Sequence, residues 1–314
     1  MAFGSDRSRF RINVEDKRSV EDKQFGPLIK TSMNRCIHCT RCVRFANDVA
    51  GVDALGTTGR GNDMQISTYV EKTLDSELSG NVIDLCPVGA LTSKPYAFMA
   101  RPWELRKTES VDVMDAVGAN IRIDSRGMEV MRILPRLNEN INEEWLGDKS
   151  RFACDGLRRQ RLTTPLIRQG DHDSMLVEAS WEQALLTAAT RIRECRPEEL
   201  AFMMGPFTDL ETTLLMKDFS EQLNCQNLLF DGASLGAAPL PTSTPALYRF
   251  GGGISKIEES DTILLIGTNP RKEAPLINAR IRKAYLKNPQ LKVALLGELP
   301  ERRLTYEVEQ LGLT

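Results

Sequence analysis

The chain has 314 residues, of which 41% are hydrophobic, and its formal net charge is −2. This length predicts two or three domains, and the composition is sufficient for folded cores. Such a small net charge gives no reason to expect a nucleic-acid partner or an anionic membrane surface. No uninterrupted apolar run in the chain approaches the roughly 18 residues that a transmembrane helix requires, so we expect no membrane span.

The first 35 residues are charged and mixed, and residues 1–10 contain no apolar stretch of the kind that a signal peptide needs. We therefore expect neither a signal peptide nor a presequence, and residues 19–23 suggest one helical turn. The chain has seven cysteines, an odd number. Three of them are isolated, namely Cys154, Cys195 and Cys225. This distribution favours a reducing compartment without a disulfide framework.

Three cysteines at C-x2-C-x2-C spacing follow, at Cys36, Cys39 and Cys42. The spacing curls the backbone so that three thiolates can be directed at one point. A fourth cysteine, Cys86, lies far downstream and immediately before Pro87. Soft thiolate ligands select iron–sulfur clusters or zinc, and the short continuation that gives ferredoxins a second cluster is absent here. The pattern predicts one [4Fe–4S] cluster bound by these four cysteines.

A structural zinc site is the main alternative for the same cysteines. Zinc usually takes its cysteines as two separated pairs, whereas here a group of three is combined with one distant cysteine. His38 lies inside the loop, and we interpret it as directed away from the metal because four thiolates are already present. Three arginines lie close to the cysteines in sequence, namely Arg35, Arg41 and Arg44. One interpretation is that they offset the negative charge of a bound cluster. The other is that they are surface residues, either salt-bridged or solvated.

Local patterns beyond the loop predict several elements. Residues 43–50 indicate a short helix that ends at Gly51, a natural C-cap residue. Residues 65–70 alternate and indicate a strand, and the glycine-rich residues 56–61 indicate close backbone packing rather than a phosphate site. Two alternating segments with a turn between them predict a β-hairpin at residues 120–134.

From Trp181 onward the pattern is α/β. Helices are predicted at residues 181–193 (with Ser180 as N-cap), 210–223 and 275–286, and strands at residues 200–205, 227–230, 262–267 and 292–297. Apolar strands between helices imply a parallel sheet covered on both faces. The turn at residues 267–270 lies where such sheets bind ligands, but we interpret it as a plain strand-to-helix turn.

These patterns divide the chain into three parts. An α+β iron–sulfur domain is predicted at residues 1–102, a small β-rich segment at residues 103–165, and an incomplete α/β domain with a parallel sheet at residues 166–314. The first part holds the predicted metal site.

Several long strings carry a family resemblance, which is densest between residues 17 and 165. They comprise residues 33–45, 56–63, 79–94, 97–104, 108–118, 142–145, 267–270 and 278–283. In these strings the chain closely resembles the large iron–sulfur subunit of respiratory complex I. That family passes electrons from an NADH-oxidising flavin subunit, through a line of clusters, toward the quinone-binding arm.

The resemblance implies that Cys36, Cys39, Cys42 and Cys86 bind one [4Fe–4S] cluster of that line. It implies no catalytic residue on this chain, which would act only as a subunit of a proton-translocating NADH:ubiquinone reductase. The implied partners are the flavin subunit and the quinone-side iron–sulfur subunits. The implied location is the matrix side of the mitochondrial inner membrane, with the cytoplasmic face of a bacterial membrane as the alternative.

The last part of the chain resembles molybdopterin oxidoreductases, which usually begin with a four-cysteine cluster of their own. The corresponding stretch here includes Val111, Met114 and residues 146–149 and lacks those cysteines, so we expect neither a second cluster nor molybdenum. A molybdopterin-dependent oxidoreductase subunit is the alternative function. The family's N-terminal [2Fe–2S] region and C-terminal end have no counterpart in this sequence. We therefore expect a piece of the subunit, with further clusters on missing or partner segments.

Overall fold

The computed structural model describes residues 19–68, 73–168, 175–205, 207–230 and 250–312. The chain divides into two compact units, one of Met1–Arg158 with Phe250–Thr314 and one of Arg159–Arg249. The first unit therefore joins the cysteine-bearing segment to the C-terminal α/β segment. The three-part division expected from the sequence, with boundaries after residues 102 and 165, stays a prediction.

Two antiparallel strand pairs and several short helices form the cysteine-bearing segment. In chain order its main elements are β1 (Ile29–Thr31), α1 (Arg41–Arg44), a π-helix (Phe45–Ala50), β2 (Leu55–Thr58), β3 (Gln65–Thr68), α2 (Asn81–Leu85) and β4 (Leu91–Ser93). Strand β1 pairs with β4, and β2 pairs with β3. Short 3-10 helices lie at Met33–Arg35, Gly61–Asp63 and Pro102–Glu104.

The helix predicted at residues 43–50 is confirmed, although it begins at Arg41 and its second half is π-helical. Gly51 ends it with φ 68°, the left-handed C-cap that the sequence predicts. Strand β3 confirms the strand expected at residues 65–70 as far as Thr68, and residues 69–70 lie outside the described part of the chain.

The helical turn expected at residues 19–23 is wrong, since no helix is present there. The backbone N–H of Val20 instead donates to Asn34 Oδ1 at 2.7 Å. The carboxylate of Asp22 accepts from the N–H of Met33 at 2.8 Å. Tertiary side-chain contacts therefore replace the local hydrogen bonds that one helical turn would provide.

A three-stranded antiparallel sheet follows, made of β5 (Arg106–Val111), β6 (Asn120–Arg126) and β7 (Glu129–Pro135). The pairing of β6 with β7 confirms the predicted hairpin. Asp124 is fully buried and accepts from the Nε atoms of Arg122 at 2.9 Å and of Arg132 at 2.8 Å. The two guanidinium groups satisfy a carboxylate that would otherwise be costly to bury.

A short helix, α3 (Asp148–Phe152), completes this part of the first unit and continues as a 3-10 segment (Ala153–Leu157). The core beside the cysteines is built from apolar side chains of the whole unit, and the ring of Phe45 lies 4.9 Å from that of Trp145. Leu276 and Ala279, from the C-terminal segment, belong to the same core. The cysteine-bearing segment is thus stabilised by residues distant in sequence.

The second unit is small and is described here by itself. Its main elements in the described residues are β8 (Leu166–Arg168), β9 (Leu176–Glu178), α4 (Trp181–Glu194), a 3-10 helix (Pro197–Glu199), β10 (Phe202–Met204), α5 (Leu210–Gln222) and β11 (Leu228–Phe230). Strands β8 and β9 are antiparallel, whereas β10 and β11 are parallel. The hydroxyl of Ser180 accepts from the N–H of Gln183 at 3.2 Å, so the predicted N-cap of α4 is confirmed.

The C-terminal segment of the first unit is α/β. Its main elements are a 3-10 helix (Ile254–Glu259), β12 (Thr262–Ile266), α6 (Pro270–Glu273), α7 (Pro275–Lys287), β13 (Lys292–Leu296) and β14 (Glu309–Gly312). The three strands are parallel, in the order β12-β13-β14. The predicted α/β alternation is therefore confirmed in this segment.

The single parallel sheet that the sequence suggested is replaced, in the described residues, by two separate parallel sheets. Leu265 and Leu295 are buried with Ile281 of α7, whereas Leu264 and Ile266 of β12 are 50% and 60% exposed. Among the described residues of this unit, the buried side chains of α7 pack against one face of β12, and the predicted covering of the other face stays a prediction. Among the described residues, no helix combines the length and apolar character needed to cross a bilayer.

Candidate metal centre

The loop that carries the first three cysteines is tightly curled. His38 and Thr40 have φ values of 53° and 60°, both in the left-handed region. This conformation costs a residue with a Cβ roughly 1–2 kcal/mol and is a genuine outlier for a β-branched side chain. The Thr40 hydroxyl donates to the carbonyl of Cys39 at 2.8 Å and supports the bend. Strained backbone of this kind concentrates at functional sites.

The fourth cysteine approaches from a different element. Cys86 follows α2 directly, and its backbone N–H donates to the carbonyl of Val82 at 3.1 Å. All four cysteines, Cys36, Cys39, Cys42 and Cys86, line one cavity of about 370 Å³, open solvent included. The other lining residues are mostly apolar: Met33, Ile37, Arg41, Ile66, Val88, Ala90 and Leu91. The structure therefore brings together the four cysteines that the sequence singled out.

The thiols at this cavity differ in their exposure to solvent. Cys42 is 8% exposed and Cys39 lies at the surface. Burial, helped by negative charge on Cys36 and Cys39 and opposed by the backbone N–H of Val43, raises the pKa of the Cys42 thiol to about 11. The thiolate, not the thiol, is the form that binds a metal, so a bound metal centre would have to offset this raised pKa.

The residues present fit an iron–sulfur cluster. All four cysteines are free of disulfides. Within the described ranges, no three His, Cys, Asp or Glu side chains are grouped so as to hold a single metal ion, and the four thiols lie instead along the wall of the shared cavity. Soft sulfur donors with apolar walls suit an iron–sulfur cluster.

The charged residues of the loop separate into different environments. Arg41 is exposed and lines the cavity beside the thiols. Arg44 Nε lies 3.9 Å from Asp48 Oδ2 in an exposed ion pair. The structure thus places Arg41 where it can act on a bound group, and Arg44 in a surface pair. His38 is not among the residues that line the cavity.

The three isolated cysteines lie elsewhere. Cys154 belongs to the 3-10 segment after α3, and burial raises the pKa of its thiol. Cys195 is exposed at the end of α4. Cys225 is buried, with its sulfur 3.2 Å from the carbonyl oxygen of Leu200. None of these three is a cavity-lining residue beside the four thiols.

Sequence reasoning missed the residues that hold the cysteine-bearing elements in place. Asn81, the first residue of α2, binds Leu146, while Asp148 and Arg151 bind the start and the last turn of the same helix. Arg280 and Arg282 of α7 bind backbone carbonyls of distant segments. Asn81 and the two α7 arginines occur in the strings that carried the resemblance, but those strings assign no structural role. No sequence signal links the partners, because long stretches of chain separate them.

Comparisons with known families match most of the chain. Residues 26–92 match the ferredoxin-like domain of NADH-quinone oxidoreductase subunit 3. Residues 105–155 match the NADH-ubiquinone oxidoreductase NDSU1/NuoG-like 4Fe-4S domain, and residues 161–314 match molybdopterin oxidoreductase. The segment that matches the 4Fe-4S domain contains one cysteine, Cys154.

Curated relatives match nearly the whole chain. It is 57% identical over 99% of its length to the mitochondrial NADH-ubiquinone oxidoreductase 78 kDa subunit of Neurospora crassa. It is 53% identical over 99% to the mitochondrial NADH dehydrogenase [ubiquinone] iron-sulfur protein 1 of Solanum tuberosum. It is 50% identical over 99% to the NADH-ubiquinone oxidoreductase 75 kDa subunit of Reclinomonas americana.

The four-thiol cavity on an α+β scaffold, together with the ferredoxin-like match, defines an iron–sulfur protein. The identities over 99% of the chain then fix the family. The chain belongs to the family of the large iron–sulfur subunit of respiratory complex I. It spans 41% to 45% of the length of the relatives that it matches.

Proposed function

We propose that this chain relays electrons through one [4Fe–4S] cluster held by Cys36, Cys39, Cys42 and Cys86. The observation that carries the proposal is the convergence of these four thiols, from two separate elements, on one cavity. The family membership supports the same assignment, since the relatives include a protein named as an iron-sulfur protein of NADH dehydrogenase.

When bound, an iron–sulfur cluster supplies one-electron transfer without breaking a substrate bond. The chain's own residues supply the four thiolates and an apolar wall that limits access of water. Arg41, at the edge of the cavity, supplies positive charge that offsets the negative charge of the thiolate-bound centre. Backbone N–H groups near the sulfur atoms tune the potential of such centres. No residue of this chain is proposed to act as a catalytic acid, base or nucleophile.

The proposed setting is respiratory complex I, an NADH:ubiquinone reductase that translocates protons. Electrons would pass from the flavin subunit that oxidises NADH, through this chain, toward the quinone-side iron–sulfur subunits. The proposed location is the matrix side of the mitochondrial inner membrane, and the relatives named mitochondrial support the mitochondrial part of this proposal. Further clusters are proposed to lie on other segments or partner subunits.

A molybdopterin-dependent oxidoreductase is the second candidate, because residues 161–314 match the molybdopterin oxidoreductase family. We propose that this segment is a scaffold that binds no molybdenum. Molybdenum analysis of the purified complex distinguishes the two functions, and molybdenum in proportion to this chain would favour the second.

The cluster assignment is tested by replacing Cys86 with serine in the subunit assembled in its complex. Loss of Cys86 is expected to remove the EPR signal of one [4Fe–4S] cluster and the corresponding iron and sulfide. Cys195→Ser is the matched control, because Cys195 is exposed and is not a cavity-lining residue. Zinc without iron in the purified wild-type subunit, or an unchanged signal in Cys86→Ser, would contradict the proposal.

A further inference from the structure

The helix that delivers Cys86 is too short to fix its own position. Helix α2 has five residues, and its N-cap is Gly80, which has no side chain for capping. A helix of this length is unstable alone, because few backbone hydrogen bonds offset the cost of ordering it. The position of Cys86 must therefore depend on contacts from outside α2.

One such contact caps the first turn of α2. The Asp148 carboxylate accepts from the N–H of Gly80 at 2.7 Å and from the hydroxyl of Ser79 at 2.5 Å. A Cβ on Gly80 would lie 2.8 Å from Asp148 Oδ1 and 2.7 Å from Arg151 Cδ. The carboxylate thus supplies the capping that the N-cap residue cannot, and only glycine leaves room for it.

The central contact is made by Asn81, which is 1% exposed. Its Nδ2 donates to the carbonyls of Leu78 and Leu146, both at 2.9 Å. Its Oδ1 accepts from the N–H of Leu146 at 3.0 Å and from Arg151 Nη2 at 3.2 Å. Two donors and two acceptor positions are all that an asparagine amide offers, so every one of them is used.

A third contact reaches the far end of α2. Arg151 Nη2 lies 2.6 Å from Asp84 Oδ2, and the arginine side chain is 4% exposed. Asp84 lies two residues before Cys86. We call Leu146, Asp148 and Arg151 the clamp, since together they bind the start, the first residue and the last turn of the helix.

We infer that Asn81 is a positioning residue for Cys86, because it ties α2 to the clamp and so fixes the fourth thiolate against the three of the loop. This inference rests on the proposed cluster. The clamp lies on α3 and the residue pair before it, and its hydrogen bonds given above end on residues 79–84. Loosening the clamp should therefore displace Cys86 more than the three cysteines of the loop.

The test uses Asn81→Ala in the subunit assembled in its complex. The cluster should be lost to the iron chelator EDTA about tenfold faster, since partners that orient metal ligands typically change metal affinity by 10–100-fold. The midpoint potential from an EPR-monitored redox titration should rise, because water reaching the cluster stabilises its more negative reduced form. Altered EPR g-values are expected as well, since the geometry at one sulfur changes.

The matched control is Asn278→Ala, which removes another buried amide, 5% exposed, from α7 of the same unit. Ser79→Ala is a milder variant in case Asn81→Ala fails to assemble, and it should change the rate and the potential in the same direction by less. If Asn81→Ala and Ser79→Ala both show the same rate of cluster loss to EDTA and the same midpoint potential as Asn278→Ala, the inference is overturned.

The proposed ligand set and the positioning role of Asn81 are tested separately by these variants. If Cys86→Ser leaves all clusters intact, the proposed ligand set is wrong. If Cys86→Ser removes the cluster while Asn81→Ala and Ser79→Ala leave its potential, spectrum and chelation rate unchanged, only the positioning role is wrong.

Discussion

Arg282 Nη2 donates to the backbone carbonyl of Asn47 at 2.7 Å. The same guanidinium donates through Nε to the carbonyl of Asp48 at 3.1 Å and through Nη1 to that of Thr305. Asn47 and Asp48 belong to the π-helix that follows Cys42, and the last carbonyls of a helix have no partner within it. One arginine of α7 thus satisfies carbonyls of the helical segment that carries Cys42 in its first turn.

Replacing Arg282 with alanine should lower the free energy of unfolding by about 2–3 kcal/mol, because three carbonyls lose a charged donor. Urea denaturation of the chain measures the change. Lys287→Ala is the control, since Lys287 is an exposed cation of the same helix. Equal effects of the two substitutions would show that the carbonyl contacts contribute nothing.

Gly51→Ala should destabilise the chain more than Gly127→Ala does. Both glycines are left-handed, with φ 68° and φ 60°, so each substitution carries the conformational cost of about 1–2 kcal/mol. A Cβ on Gly51 would lie 2.6 Å from Thr305 Cβ, whereas one on Gly127 meets nothing within 4 Å. Overpacking at Gly51 should add about 1–3 kcal/mol. Thermal and urea unfolding compare the two variants, and equal losses would contradict the close approach to Thr305.

Arg41→Gln should lower the midpoint potential of the cluster. A positive charge beside the cavity stabilises the more negative reduced form, so removing it disfavours reduction. Arg41 is exposed and screened by solvent, so the interaction is worth about 1 kcal/mol at most. The shift is therefore no more than roughly 40 mV, since a tenfold change in a one-electron equilibrium is 59 mV.

An EPR-monitored redox titration measures this shift. Arg44→Gln is the control, because Arg44 is paired with Asp48 at the surface and should change the potential less. A potential that does not move in Arg41→Gln would show that the loop arginines are ordinary surface charges.

Asp148 should make the stability of the chain depend on pH. Burial raises the pKa of its carboxyl from 3.8 to about 6, although the Ser79 hydroxyl, the Gly80 N–H and the Arg151 charge oppose the shift. The folded chain therefore holds this proton more tightly than the unfolded chain does. The resulting stabilisation is complete below about pH 4 and is lost as the pH rises through 6. Its size is about 3 kcal/mol, at 1.36 kcal/mol per unit.

Urea unfolding of wild type and Asp148→Asn between pH 4 and pH 7 measures this contribution. The variant cannot titrate, so the wild type should lose stability relative to it as the pH rises. Asp261→Asn replaces an exposed carboxylate of the same unit and is the control. A difference between wild type and Asp148→Asn that is constant across this range would contradict the raised pKa.

The sequence predicted correctly those features that depend on residues close together in the chain. Ser180 as an N-cap, Gly51 as a C-cap and the hairpin of β6 and β7 depend on a few neighbouring residues, and each is confirmed. The helical turn at residues 19–23 is wrong because Asn34 and Met33 provide tertiary hydrogen bonds that no local pattern encodes. The single parallel sheet is likewise replaced by two, since strand pairing is a long-range choice.

The candidate site shows the same separation between local and long-range information. Cys36, Cys39 and Cys42 could be identified as ligand candidates from the sequence, because three ligands on one loop must repeat at short intervals. The sequence could suggest Cys86 through its following proline, and the structure places it at the same cavity. It could not identify Asp148 or Arg151 as supports of α2, because such pairs meet only after the chain has folded.

The amino-acid order by itself determined the donor chemistry, since thiol side chains at a fixed spacing limit which metals can bind. It also determined the family, through long strings of residues that resemble those of the large iron–sulfur subunit of complex I. The tertiary structure alone decided how Cys86 is held against the loop and that α7 packs beside the cysteine-bearing segment. The physical reason is that hydrogen bonds such as those of Asn81 to Leu146 join residues whose separation along the chain carries no pattern.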